Sequence, residues 1–105
     1  MLIFAALLAV PLDTKPARAC ATVNATYAIY ANNDFLRIDR SRHLVEVVSD
    51  ALDKELDERG WQNVAARGRF TLCSQRMTNP LNWNVRDRVD LVTYRNIHFV
   101  ARPGR

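Results

Sequence analysis

Ser41 to Trp61 reads SRHLVEVVSDALDKELDERGW, and its period decides how the rest of the chain is read. Leu44, Val45, Val48, Leu52 and Leu56 recur at spacings of three and four, with Ala51 beside them. Glu46, Asp50, Asp53, Lys54, Asp57 and Glu58 fall between them. That pattern predicts one amphipathic helix with an apolar stripe to be covered and an acidic side in water. Five aliphatic side chains at roughly 1.5 to 3 kcal/mol each make it the largest apolar contribution in the chain, so the remaining segments must supply its lid. Ser41 is the predicted N-cap, with Asp39 as the alternative. Gly60, between Arg59 and Trp61, fits a left-handed terminating residue after which Trp61 folds back onto Leu56. Glu55 with Arg59 and Asp50 with Lys54 stand four apart and add about 0.3 to 0.5 kcal/mol each.

The flanking segments read as strands. From Thr22 to Ala31 the residues Val23, Ala25, Tyr27, Ile29 and Ala31 alternate with polar neighbours. Asn32, Asn33 and Asp34 then suit a turn, and Phe35 to Ile38 a short return strand. Asn63 to Ser74 puts Val64, Ala66, Phe70 and Leu72 on one side and Arg67, Arg69 and Thr71 on the other, with Gly68 marking a bulge. Gln75 to Asp87 is a thirteen-residue stretch without period, and a last strand runs from about Arg88 to Ala101 before Pro103 and Gly104 stop it.

Ahead of these lies Leu2 to Val10, LIFAALLAV, too short to cross a bilayer and suited to the core of a signal peptide. Ala17, Arg18 and Ala19 form a small-x-small cleavage pattern, so residues 1–19 are predicted to be removed and residues 20–105 to form a single domain. A basic n-region is missing from the signal, and a buried N-terminal strand is the alternative. Cys20 and Cys73 are the two cysteines of the chain, and in an oxidising compartment, periplasmic or extracellular, they pair. Acylation of Cys20 as a lipoprotein would compete, but Ala17 and Arg18 do not fit that signal.

The disulfide restricts topology. If the first strand crossed through the helix into a parallel second strand, Cys20 and Cys73 would stand at opposite ends of strands roughly 33 Å long, whereas a disulfide needs Cα atoms within about 7 Å. A chain reversal at residues 32–34 brings them together. The predicted fold is therefore α+β: one helix on a small, mainly antiparallel sheet in the order β-β-α-β-β, a two-layer sandwich.

Charge is uneven. The net charge is +4, with thirteen Arg against two Lys. Six acids and one Lys lie between Glu46 and Glu58, while residues 67–105 hold eight Arg against Asp87 and Asp90. The molecule should be electrically two-faced. The arginines are not interleaved with aromatics as in a nucleic-acid-reading module, which argues against that class of partner. With no CxxC, no HExxH, no glycine-rich phosphate loop and no apolar run long enough for a membrane span, nothing points to a metal or other cofactor. His43 and His98 could together run the acid-base cleavage of a small secreted ribonuclease, though nothing in the sequence brings them together. The remaining features are those of an interface: Tyr30, Trp83, Arg86, Arg88 and Tyr94 are hot-spot residue types, and Trp83 in the long loop is their natural centre. The alternative for Trp83 is a lid on the core. The leading reading is a small exported, disulfide-closed, non-enzymatic protein that binds a protein or envelope partner as an accessory subunit or inhibitor. A ribonuclease-type hydrolase and a module lipid-anchored through Cys20 are its alternatives.

Overall fold

A computed structural model describes residues 19–75 and 79–104; the predicted signal segment lies, apart from Ala19, outside them. Strands β1 (Ala19–Tyr30), β2 (Asn33–Ile38), β3 (Val45–Glu46), β4 (Val64–Ser74) and β5 (Val89–Ala101) form one antiparallel sheet in the order β3-β2-β1-β4-β5. Helix α1 (Asp50–Arg59) connects β3 to β4 and packs across one face of the sheet, against β1 and β4. The α+β sandwich expected from the sequence is the fold.

β1 and β2 are joined by the two-residue turn Ala31–Asn32, both with positive φ (50° and 72°), the conformation whose twist matches a tight hairpin. Asn favours that region. Ala31 is taken out of the strand by it, one residue earlier than the Asn-rich run suggests. β1 then pairs with β4 so that Cys20 stands directly opposite Cys73, and the two are disulfide-bonded with Cα atoms 4.0 Å apart. The bond engages the sulfur that lipid attachment at Cys20 would require.

The helix is half the length that the pattern suggests. It starts at Asp50, not Ser41, and its cap is Ser49, whose side chain accepts a hydrogen bond from the Leu52 N–H at 3.2 Å. The reason lies in Leu44 to Val48. Val45 and Val47 are buried in the main core, Leu44 packs against the small cluster on the other sheet face, and Val48 is 63 % exposed. Successive residues on opposite faces are a strand's geometry, and the β-branched valines favour it. Their three-and-four spacing in the sequence is coincident with an alternation of two. Asp39 and Ser41 instead belong to the connection between β2 and β3, where the Ser41 hydroxyl donates to the Leu81 carbonyl at 3.0 Å. On α1, Arg59 pairs with Glu55 at 3.3 Å as expected, while Lys54 pairs with Glu58 rather than with Asp50.

The C-terminal stop is as read. Gly60 has φ +96° and its N–H donates to the Asp57 carbonyl, and no atom lies within 4 Å of where a Cβ would stand. Gly60→Ala therefore meets backbone strain alone and is expected to cost about 1 kcal/mol. A lower urea midpoint with an unchanged m-value checks it; a variant more stable than the parent refutes a left-handed stop. Gly68 is also required, by close approach: the β4/β5 register shifts between Arg67 and Arg69, so that Asn96 and Ile97 oppose one residue, and a Cβ on Gly68 would stand 2.5 Å from Ile97 Cδ1.

The main core lies between the sheet and α1, with Tyr27, Leu36, Leu52, Leu56, Phe70 and Leu72 fully or nearly buried. α1 is too short to cover it all. The remainder is closed by the segment around the 3-10 turn Pro80–Asn82, which lays Leu81 and Trp83 on the same cluster. Trp61 also packs on this core from beyond the helix end. Among the described residues no helix is long and apolar enough to cross a membrane.

Candidate binding face

Covering layers occupy one side of the sheet, so the residues on the other side define what the molecule can present. Strand alternation and register place them in rows. Cys20, Cys73 and Asp90 form the first row; Thr22, Thr71 and Thr93 the second; Asn24, Arg69 and Arg95 the third; Arg37, Thr26, Arg67 and His98 the fourth. Beyond them Ala28, Tyr30, Phe35 and Ala65 make a small apolar cluster that Leu44 and Val100 flank. The chain end folds over its margin: the Tyr30 hydroxyl donates to the Pro103 carbonyl at 2.7 Å, and the Arg102 guanidinium sits 4.6 Å from the Tyr30 ring centre.

The middle rows are cross-linked by polar side chains. The Thr22 and Thr71 hydroxyls are 2.8 Å apart, and Arg69 donates to the Asn24 side-chain oxygen at 3.0 Å. Arg67 makes a forked contact with both Asp39 oxygens, at 2.8 and 2.9 Å, and also donates to Thr26. These Arg67 hydrogen bonds, reinforced by the charges of Arg67 and Arg40, hold the Asp39 carboxyl below the usual range against the opposing effect of burial. Four arginines and His98 thus stand on one side of the sheet, Arg67 and Arg69 held by hydrogen bonds, with Asp39 neutralising Arg67. The acids of α1 are on the opposite side of the molecule. The uneven charge of the sequence becomes two faces in space.

A second polar cluster ties the hairpin to the helix start. The buried Tyr27 hydroxyl donates to Asp34 and accepts from the Ser49 N–H at 3.0 Å. Asp34, 5 % exposed, is raised to about 6, chiefly by burial; the Tyr27 bond opposes that, while a hydrogen bond to Asp53 and the charges of Asp53 and Asp50 add to it. Burial likewise pushes the Tyr27 hydroxyl upward, so it stays protonated. The sign for stability follows. A carboxyl with a raised folded-state pKa holds its proton more tightly when folded, so its contribution is full below about 4 and lost as pH rises towards 6. Asp39 does the reverse, stabilising above its unfolded pKa and losing that contribution as pH falls through its lowered folded value. Stability is expected to peak near pH 4 to 5 and then decline by on the order of 1 to 3 kcal/mol by pH 7. Urea midpoints across pH 4 to 8 test it, and Asp34→Asn should flatten the decline; a parent curve flat over that range contradicts the assignment.

The residues singled out in the sequence do not converge. Trp83 is fully buried beneath the 79–83 segment, the position of a core lid, so it is not an exposed interface centre. Its indole is too large an apolar surface to leave in water when α1 stops short of it. Tyr30 is buried on the open side and Tyr94 is half-buried on the helix side, its ring 6.1 Å from that of Phe70. Arg86 and Arg88 are exposed beside the loop. His43 lies in the connection between β2 and β3 and His98 on the edge strand β5, on separate elements of the fold. Arg37, Arg67 and Arg69 were available from strand alternation, and Arg67 and Arg69 do read as facing away from the core. Arg95 is hidden by the register shifts of β5, which break the alternation. Comparison of the chain with protein-family models, with curated proteins and with solved structures found no match.

Proposed function

We propose that the protein is a small exported, disulfide-closed binding protein that engages an anionic surface of a protein or envelope partner, as an accessory subunit or inhibitor, through the uncovered face of its sheet. The observation that carries this reading is the four-arginine array, Arg37, Arg67, Arg69 and Arg95, on the side that α1 and the 79–83 segment leave open. Arg67 is braced by Thr26 and Asp39 and Arg69 by Asn24, so part of the entropy of ordering these two side chains is already lost before a partner arrives. Arginine presents a planar, forked donor set that matches carboxylates and phosphates. The cystine supports an oxidising location, periplasmic or extracellular.

The test is capture from an envelope extract by the oxidised protein and by Arg69→Glu/Arg95→Glu. Both sites are at least part-exposed, so the fold should survive, as far-UV circular dichroism can check. Capture is expected to fall at least tenfold in the variant and to weaken with salt in the parent. Capture unaffected by both places the interface elsewhere.

A further inference from the structure

The sheet has a gap in it. β2 accompanies β1 only from Ala25 to Tyr30, whereas β1 continues as far as Ala19 on β4 alone. Five residues of a central strand, Ala19 to Val23, about 17 Å of it, therefore lack a neighbour on the β2 side among the described residues. Hydrogen-bonding direction alternates along an antiparallel strand. Tyr30 and Asn33 close the hairpin, and the Asn24 carbonyl accepts from the Asp39 N–H at 3.0 Å on the β2 side. The same alternation aims the N–H and C=O of Thr22 and Cys20 at the gap, while those of Ala21 and Val23 go to β4. Beside this edge is a cleft of about 340 Å³ whose apolar floor is Val23, Ile38 and Leu81 and whose polar wall includes Arg40 and Arg69. Asp39, also in the wall, already has its charge matched by Arg67. What fits is backbone for the strand edge, apolar side chains at alternate positions for the floor, and a carboxylate for the two arginines.

We propose that the Cys20–Val23 edge of β1 is a strand-accepting slot, and that its occupant is an extended segment of a partner protein carrying an acidic residue. This deepens the reading of an anionic protein partner and rests on it. Main-chain pairing supplies the affinity, and the arginines with the apolar floor supply the choice of sequence. A second copy of the chain fits less well, because its own β1 edge offers no acid between Ala19 and Tyr30.

Two measurements test the slot. In the free oxidised protein the Thr22 amide is expected to exchange with solvent at least tenfold faster than its neighbour Val23; equal protection of the two overturns the proposal. A random dodecapeptide phage library selected on the oxidised protein should then enrich sequences with Asp or Glu amid alternating apolar residues. Such peptides should slow Thr22 exchange, and their affinity should fall about tenfold for Arg40→Ala/Arg69→Ala while being unchanged for Lys54→Ala on the exposed side of α1. Peptides that perturb Arg95 and His98 instead would overturn the slot and leave the open-face reading standing. Enrichment without acidic residues would overturn both. No enrichment, or dimerisation through this edge in sedimentation experiments, would overturn the slot.

Discussion

Trp83→Ala is expected to destabilise the protein by about 3 to 5 kcal/mol, the range for removing a buried large aromatic side chain. The indole is 0 % exposed and belongs to the same cluster as Tyr27, Leu52, Leu56 and Phe70. Truncation leaves a void that a sheet on one side and a short helix on the other have little freedom to fill. For a domain of this size the loss corresponds to a fall in Tm of roughly 15 to 30 °C. Trp83→Phe is the informative partner, because the Trp83 Nε1 makes no hydrogen bond and phenylalanine forfeits only part of the packing. Thermal unfolding followed by circular dichroism checks both. An alanine variant with the parent's Tm would mean that Trp83 is not the lid of this core.

Loss of the Cys20–Cys73 bond should be of similar size. The cysteines are 53 residues apart, and closing a loop of that length is worth about 4 kcal/mol in the chain-entropy account. A domain this small has only about 5 to 10 kcal/mol of net stability to draw on. Urea unfolding of the parent against Cys20→Ala/Cys73→Ala measures it, alanine being chosen so that no polar group is left at the buried Cys73 position. Intact mass with and without reduction gives the covalent check, two alkylatable thiols appearing only after reduction. A double variant as stable as the parent would mean that the sheet registers without the crosslink. The two effects concern the same sheet, so both variants combined should leave little folded protein.

The architecture was legible in the sequence wherever a physical constraint acted over short range or was covalent. Alternation over Val23 to Ile29 and over Val64 to Leu72 set the two central strands, since one face of each had to be apolar. Gly60 set the helix stop, because a left-handed residue with no Cβ is the inexpensive way to end a helix. The cysteine pair set the antiparallel arrangement, because no parallel crossover brings Cys20 to Cys73. The two-sided distribution of charge was readable from the runs of acid and arginine.

Tertiary structure alone decided the rest. Whether Leu44 to Val48 is helix or strand depends on what lies on either side: five residues fit both periods, and a sheet with apolar surface on both faces accepts Leu44 on one and Val45 on the other. Trp83 has the composition of an interface and the location of a core lid, because how much core α1 would leave uncovered follows from a helix start that the local sequence misplaces. The array of Arg37, Arg67, Arg69 and Arg95 comes from three strands whose neighbours are set by sheet order and by the bulges of β5. Among the described residues the edge of β1 from Ala19 to Val23 has no strand beside it because β2 is half as long. Composition fixes which charges and side chains a chain owns, whereas adjacency across strands is a property of register, and register is settled by packing over the whole sheet at once.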